Sequence, residues 1–361
     1  MRSAALRREH GVRQRKVRQE LTLMLSDSKL PHDEHLPWQR VALVIRGGIS
    51  VNGRSTRQDG SARDSSISPD QDRAERNVTE QVLHSLSATE SPRLREIMVA
   101  MVEHLHAFAR EVRLTEAEWN AAIDFLTRTG HITDAYRQEF ILLSDVLGLS
   151  MLTVGINEPL SGDATEATVF GPFFASDSPA IELGGDIARG AKGEPCFVQG
   201  SVTNTDGEPI VGARIEVWEA DEDGSYDVQY DDGRTNGRGH LFSGADGCFA
   251  FWGVTPTPYP IPDDGPVGEL LTATGRSPMR PAHLHFLVAA GGYRRLVTHI
   301  FVRGDEHLTN DAVFGVKDSL IKEFERHLPG DHPPDGRTIE GSWTSTRFDI
   351  MLPPSIQPDH K

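Results

Sequence analysis

The chain has few cysteines, no long apolar runs and an excess of acidic over basic residues. Its two cysteines, Cys196 and Cys248, are too few for a disulfide framework or a thiolate-rich metal site, although the sequence leaves a single bridge between them open. No run approaches the roughly 18 apolar residues of a transmembrane helix. A formal net charge of −16 disfavours nucleic acid or an anionic membrane surface as a partner. These features predict a cytoplasmic protein without a membrane span.

What is present divides the chain into three parts. Residues 1–75 are rich in Arg, Ser, Asp and Gly and are predicted to form a disordered extension. Residues 76–160 carry helical patterns, and residues 161–355 carry strand patterns with a period of two. The expected fold class is therefore mainly β, with an antiparallel β-sandwich preceded by a helical module.

The helical module begins with a clear start signal. Ser91 is a preferred N-cap residue, and Pro92 occupies the first helical position. The apolar residues that follow recur at three- and four-residue steps: Leu94, Ile97, Met98, Met101, Leu105 and Phe108. Such a stripe suits packing against a second copy of the chain, so a homodimer is expected.

Two more helical segments follow. A capping box at Thr115 and Glu118 predicts a helix that ends at Gly130. The third segment is predicted to run from Asp134 through residues 140–149.

Strand patterns fill the second half of the chain. They occur at PCFVQGSV, ARIEVWEA, CFAFWGV, AHLHFLVA, LVTHIFV and TRFDIML. Asp-Gly or Asn-Gly dipeptides, which favour tight turns between antiparallel strands, stand at residues 206, 223, 236 and 246.

The tripeptide His-Leu-His occurs twice, in two different local structures. His104 and His106 lie in the predicted helix, where residues two apart point roughly 200° away from each other and do not easily share one ion. His283 and His285 lie in a strand pattern, where residues two apart share a face. The second pair can hold one metal ion, while Leu284 and its alternates should face the core.

Two tyrosines stand in loops that could converge on this strand. Tyr226 follows the Asp-Gly turn at residue 223, and Tyr259 lies among prolines in PTPYPIP. From these residues alone, the tyrosines could equally pack against prolines or bond to a turn carbonyl.

An ordered series of motifs resembles the intradiol ring-cleavage dioxygenases, and within them the branch that acts on hydroxyquinol. The series consists of FGPFF (170–174), VWEADEDGSYD (217–227), SGADGCFAFWGV (243–254), YPIPDDGPVG (259–268), RPAHLHF (280–286) and YRRLVTHIFVRGD (293–305). The resemblance implies a β-sandwich catalytic domain and a helical dimerisation and linker module. It also implies a homodimer through the N-terminal helices and allows a lipid bound at that interface.

The resemblance implies one Fe(III) per subunit, held by Tyr226, Tyr259, His283 and His285. Ferric iron is a hard Lewis acid, and a phenol that titrates near pH ~10 needs such an acid beside it to ionise at neutral pH. The substrates implied are a small aromatic diol or triol and O2. The diol is expected to displace Tyr259, which then takes one of the diol protons.

Further site residues come from the same resemblance. Arg280 is expected to stabilise negative charge that develops on the ring, although an ordinary strand-end arginine is the alternative. His299 is expected near the oxygen site behind the metal ligands, with core packing as the alternative.

The substrate pocket implied by the resemblance also includes Arg280, and its walls are mostly apolar, as an aromatic ring requires. They comprise Leu142, Asp145, Val169, Phe170, Gly171, Pro172, Phe173, Ile261 and Pro262. The exception is Asp145, which we expect to accept a hydrogen bond from a third ring hydroxyl; helix capping is the alternative.

Two other functions remain open at this point. One is cleavage of catechol or chlorocatechol by the same chemistry. The other is a non-catalytic binding module, because SVTNTDGEPIVGARIEVWEA resembles the prealbumin-like segment of many carrier domains.

Overall fold

The computed structural model describes residues 68–134, 137–158, 162–230 and 233–355. Its first helix, α1 (Pro69–Ser85), begins inside the segment predicted as a disordered extension. The start is fixed by Ser68, whose hydroxyl accepts a hydrogen bond from the Gln71 N–H at 3.2 Å, and by Pro69 in the first turn. Residues 69–75 are therefore helical, which corrects the boundary predicted at residue 75. The rest of the predicted extension lies outside the described residues.

The helical module continues with α2 (Pro92–Glu111), α3 (Glu116–Ile132), α4 (Glu139–Val146) and α5 (Leu149–Asn157). The caps predicted at Ser91 and Thr115 are confirmed, but α3 runs two residues past Gly130. The third predicted segment, from Asp134 to residue 149, contains α4, which begins only at Glu139; α5 follows it and was not predicted. They are separated at Gly148, whose φ of +73° ends the right-handed helix.

The predicted β-sandwich is confirmed. Its strands are β1 (Gly185–Asp186), β2 (Pro195–Asn204), β3 (Arg214–Trp218), β4 (Arg238–Phe242), β5 (Cys248–Val254), β6 (Tyr259–Pro260), β7 (Met279–Arg280), β8 (His283–Ala289), β9 (Leu296–Val302), β10 (Ile321–Lys322), β11 (Glu325–His327), β12 (Trp343–Arg347) and β13 (Ile350–Leu352). One sheet has the order β1-β5-β2-β12-β11, with β13 also paired to β2, and the other has the order β10-β9-β8-β3-β4. A further helix, α6 (Pro266–Ala273), lies between β6 and β7 in the chain and was not predicted.

The central strand pairs are antiparallel, as the turn dipeptides predict. They include β2 with β5, and β8 with both β3 and β9. Parallel pairs occur as well, where β1 joins β5, β10 joins β9, and β12 and β13 join β2. Val198 and Phe251 of one sheet belong to the same buried cluster as Ile215, Phe286 and Ile300 of the other, so the core lies between the sheets.

Strand β8 divides its side chains between the core and the opposite face. Leu284, Phe286 and Val288 are fully buried in the core cluster. His283 and His285 alternate with them and therefore project from the other face. The predicted orientation of this strand is confirmed.

The structure also bears on the two cysteines and on the question of a membrane-spanning helix. Cys196 is buried, Cys248 is exposed, and neither is in a disulfide. Among the described residues, no single helix is long and apolar enough to cross a membrane. Helices α4 and α5 have the required length and apolar character only when taken together, and they are bent by 77° relative to each other.

Candidate metal centre

Three separate segments bring four side chains to one buried point. Tyr226 lies in the loop after β3, where its backbone N–H donates to the Gln229 side chain at 2.8 Å. Tyr259 begins β6, and His283 and His285 lie in β8. All four side chains are at most 4% exposed.

The polar atoms of these side chains form a closed ring. The Tyr226 Oη lies 2.9 Å from the Tyr259 Oη and 2.9 Å from the His285 Nε2. The His283 Nε2 lies 3.1 Å from the Tyr259 Oη and 3.2 Å from the His285 Nε2. Metal bonds of about 2.0–2.2 Å place neighbouring atoms of a tetrahedral site roughly 3.3–3.6 Å apart. The observed ring is close to that size.

The histidines are in the form that binds metals. The His283 Nδ1 lies 2.7 Å from the Pro281 carbonyl oxygen, which only accepts, so Nδ1 carries the hydrogen and Nε2 carries the lone pair. Burial, followed by the charge of Arg280, lowers the pKa of His283 to about 3. Burial also lowers the pKa of His285 well below its usual value, with His299 adding to the effect. Both imidazoles are therefore neutral.

The two phenols are also neutral without a cation. Burial raises the pKa of Tyr226 well above its usual value, and the neighbouring Tyr259 raises it further. Burial raises the pKa of Tyr259 too, but there the positive charge of Arg280 opposes the rise. Only a strong positive charge in the ring would make both phenolates stable.

Strands β3 and β9 support His285 from both sides. Trp218 of β3 stacks on the His285 ring at 4.6 Å with an interplanar angle of 18°. His299 stands directly opposite in β9, with its Nε2 2.6 Å from the His285 Nδ1 and its Nδ1 2.9 Å from the Thr168 hydroxyl. The donor nitrogens of His283, His285 and His299 all lie within 4.8 Å of one another. Because the His299 Nε2 faces His285, this histidine supports the ring and is not one of its four members.

Arg280 lies at the edge of the ring, opposite Tyr259 in the β6–β7 pair. It is 4% exposed, and its Nη1 lies 3.0 Å from the His283 Nε2. Its Nε donates to the Asp311 carboxylate at 3.1 Å, while its Nη2 is buried without a hydrogen-bond partner among the residues that the structure describes. A buried unpaired guanidinium nitrogen beside neutral metal-binding groups is a ready donor for a negatively charged ligand.

The structure brings most of the predicted pocket residues together. Leu142, Val169 and Ile261 share one buried cluster, and Phe173 stacks on Tyr226 at 4.6 Å. The remaining predicted residues vary in burial: Asp145 is buried, Gly171 and Pro262 are half-buried, and Phe170 and Pro172 are exposed. Burial raises the pKa of Asp145, against the opposing effects of Ser150 and Arg280.

Glycine allows two close approaches in this site. Gly171 has a φ of +76°, and a Cβ there would lie 3.2 Å from the His285 ring. Gly224 has a φ of +79°, and a Cβ there would lie 2.6 Å from the Tyr259 Cβ. The Asp-Gly turn predicted from sequence thus also makes room for Tyr259.

Sequence reasoning missed Asp311, Trp218 and Thr168. Trp218 falls inside the quoted motif VWEADEDGSYD, and its apolar character predicts only burial. Asp311 lies 31 residues from Arg280 in a segment with no regular period, so no sequence pattern links the two.

Family models match most of the described chain. A model described as "Dioxygenase" matches residues 171–354, and one described as "Catechol dioxygenase N terminus" matches residues 91–165. The chain belongs to the intradiol dioxygenase family. The family resemblance read from the sequence is thus confirmed, and a non-catalytic binding module is disfavoured.

Individual relatives match along nearly their whole length. A hydroxyquinol 1,2-dioxygenase of Nocardioides simplex is 64% identical over 80% of this chain and 99% of its own length. A crystal structure of a hydroxyquinol 1,2-dioxygenase from Pseudomonas putida DLL-E4 has 44% identity and a TM-score of 0.74, and covers 79% of this chain and 100% of that one. A catechol 1,2-dioxygenase from Pseudomonas arvilla C-1 has 28% identity and a TM-score of 0.67, with 78% and 92% covered.

The family implies non-haem iron, and the side chains present fit a metal. The neutral imidazoles offer lone pairs, and the buried phenols would become stable anions beside a cation. The coarse prediction of an iron-binding site is therefore supported by the donor set itself.

Gly224→Ala should lower the amount of bound metal. The added methyl group overlaps Tyr259, and the alanine also adopts a strained positive φ. Gly207→Ala is the matched control, because its φ of +81° imposes the same strain and a Cβ there meets no atom within 4 Å. Metal content by mass spectrometry should fall only in the Gly224 variant; equal loss in both variants would contradict the steric explanation.

Proposed function

We propose that this protein catalyses intradiol cleavage of hydroxyquinol (benzene-1,2,4-triol) with O2, inserting both oxygen atoms to give 3-hydroxy-cis,cis-muconate, a tautomer of maleylacetate. The observation that carries the proposal is the closed ring of two phenols and two imidazoles with an unpaired guanidinium nitrogen beside it. The high identity to a hydroxyquinol 1,2-dioxygenase supports this substrate class.

We propose one Fe(III) per subunit, held by Tyr226, Tyr259, His283 and His285. When bound, ferric iron acts as a Lewis acid that stabilises the phenolates and a diol dianion and makes the diol reactive toward O2. The two anionic phenolates would offset most of its charge, and the neutral imidazoles would add lone pairs without further charge. His299 would hold the His285 ring through the 2.6 Å contact at Nδ1.

Tyr259 and Arg280 would perform the proton and charge steps. Arg280 lies opposite Tyr259 and opposes the rise of its pKa, so Tyr259 is the phenol better supported as an anion by the protein. The Tyr259 oxygen would take a proton from the incoming diol. The free N–H donors of Arg280 would then stabilise the negative charge that develops on the aromatic ring of the substrate.

The pocket walls would hold the aromatic ring and select its substituents. Leu142, Val169 and Ile261, which share a buried cluster, and Phe173, which stacks on Tyr226, would supply the apolar surface. Asp145 is 4% exposed in α4, and burial raises its pKa, while Ser150 and Arg280 act in the opposite direction. We propose that it accepts a hydrogen bond from the third hydroxyl, since a buried carboxyl group needs a polar partner.

We also propose a homodimer through the N-terminal helices, with room for a lipid at the interface. The apolar stripe on α2 is exposed in the described part of the chain, where Leu94, Ile97, Met101, Leu105 and Phe108 are 45–56% exposed. Exposed apolar surface of this extent usually marks an interaction site.

The domain division proposed from sequence is retained with a shifted start. The helical module would begin at Pro69, and the catalytic sandwich would occupy residues 161–355. Unpaired cysteines are compatible with a reducing compartment, so the cytoplasm remains the proposed location.

Iron-loaded protein should be burgundy, because tyrosinate-to-iron charge transfer absorbs visible light. Hydroxyquinol added without oxygen should shift this band, and oxygen should then produce the ring-cleaved acid in the ultraviolet spectrum. Catechol and chlorocatechol run in parallel decide between the related substrates. Colourless protein with iron bound, or turnover of catechol alone, would contradict the proposal.

Asp145→Ala should reduce kcat/KM for hydroxyquinol relative to catechol by roughly tenfold or more, because a hydrogen bond to a charged group is lost. Leu142→Ala is the control, since it enlarges the same helix wall without removing a polar group. An unchanged hydroxyquinol-to-catechol ratio in the Asp145 variant would exclude its role in recognition.

Leu105→Glu should convert a dimer into a monomer, because it places a charge in the centre of the apolar stripe. Leu183→Glu is the control, since Leu183 is 53% exposed on the sandwich. Sedimentation velocity should show dissociation only for Leu105→Glu; a monomeric unmodified protein would contradict the proposed dimer.

A further inference from the structure

The loop between β9 and β10 is built around one buried carboxylate, that of Asp311. Its side chain is 6% exposed, although the loop itself lies at the surface of the sandwich. The Asp311 Oδ1 accepts hydrogen bonds from the Arg280 Nε at 3.1 Å and from the Val313 N–H at 3.2 Å. The Oδ2 accepts from the Gly315 N–H at 2.8 Å. Both oxygens are therefore used, by one guanidinium and two backbone amides.

The backbone of this loop is shaped to hold the carboxylate in place. Phe314 adopts a φ of +59°, an uncommon conformation for a bulky residue, and lies between the two amides that reach Asp311. The Ala312 N–H donates to the Met279 carbonyl at 3.1 Å, which ties the loop to the residue next to Arg280. The guanidinium of Arg276 donates to the Ala312 carbonyl at 3.0 Å.

The hydrogen bond between Arg280 and Asp311 is a contact that a bound metal would not disturb. In this structure the Arg280 Nη1 faces the His283 Nε2, whose lone pair a metal would take. The contact between Nε and Asp311 does not involve a metal-binding atom. The two remaining guanidinium nitrogens can then serve a bound substrate only if the Asp311 contact fixes their plane.

We propose that Asp311 is a positioning residue for the ring-cleavage reaction: it fixes the plane of the Arg280 guanidinium so that Nη1 and Nη2 stay available to the negative charge that develops on the diol ring. The inference rests on the proposed function, since it needs a diol beside Arg280. A carboxylate is required, because an amide in its place would turn an NH2 group toward either the Arg280 Nε–H or the Gly315 N–H. Asp311 itself does not have to touch the substrate.

The test is a double-mutant cycle in the iron-loaded full chain, with Asp311→Asn, Arg280→Lys and the double variant. Asp311→Asn should lower kcat about tenfold or more, as loss of a well-placed donor does. Its iron content, charge-transfer band and anaerobic dissociation constant for hydroxyquinol should stay close to those of the unmodified protein. In the Arg280→Lys background the same substitution should change kcat by less than about threefold, because both act through one guanidinium.

Asp305→Asn is the matched control in the same loop. The Asp305 carboxylate accepts from the Ala282 N–H at 3.0 Å and the His307 N–H at 2.8 Å, so it supports backbone without touching a guanidinium. Its kcat should remain within about threefold of that of the unmodified protein. If Asp311→Asn does not fold, Asp311→Glu keeps the charge but moves it by one methylene group, and should retain iron while losing kcat.

Three results would overturn the role of Asp311. They are full activity of the Asp311 variants, additive effects in the cycle, and loss of iron in proportion to loss of kcat. Failure of the proposed function is seen separately, in the unmodified protein. If that protein binds a diol but does not cleave it, both proposals fail, whereas full activity of the Asp311 variants in a protein that does cleave the diol overturns the role of Asp311 alone. Unmodified protein that neither binds nor cleaves a diol would overturn both proposals.

Discussion

Two phenols and two imidazoles meet in a space from which water is largely excluded, and much of the local structure serves to keep them there. Burial holds all four groups neutral, since it raises the pKa of the tyrosines and lowers that of the histidines. Contacts of 2.9–3.2 Å between their polar atoms close the ring. The protein therefore brings lone pairs to one point, and negative charge on the two tyrosines would have to be induced by a bound cation.

The two histidines are anchored by different means, although they are neighbours on one strand. His283 is fixed by the Pro281 carbonyl, so its tautomer is set by the backbone. His285 is held by side chains, with Trp218 on its face and His299 at its Nδ1. Strands β3 and β9 supply these supports because they flank β8 in the sheet. A substitution of His299 should therefore change the position of the His285 ring but leave the tautomer of His283 unchanged.

The ring could be predicted from sequence because its histidines depend on a simple period. His283 and His285 alternate with core residues in a strand, whereas His104 and His106 lie in α2, where the same spacing separates them. The tyrosines needed the family resemblance, since loops have no period that predicts convergence. The break at Gly148 was missed because apolar residues continue across it and hide the positive φ.

The support around Arg280 was beyond sequence reasoning for a different reason. Asp311 reaches it through a tertiary contact between segments 31 residues apart, and the loop that presents it has no regular structure. Helix α6 was missed because it is a short apolar insertion between two strands of two residues each. In both cases the structure depends on contacts that are distant in the chain, which local patterns do not encode.

The proposed substrate wall and the proposed metal site come from different parts of the fold. Leu142 and Asp145 belong to α4 of the helical module, whereas the four ring members belong to the sandwich. The two parts are joined by specific bonds, in which the Glu139 carboxylate accepts from the Val267 N–H at 3.1 Å and Arg276 donates to the Val146 carbonyl at 2.5 Å. Since these bonds use Glu139 and the Val146 carbonyl and not Leu142 or Asp145, substitutions at the latter two positions should alter substrate preference while the four-residue ring stays intact. Because of this separation, a substitution at position 145 tests substrate preference more cleanly than a substitution of Tyr226, Tyr259, His283 or His285.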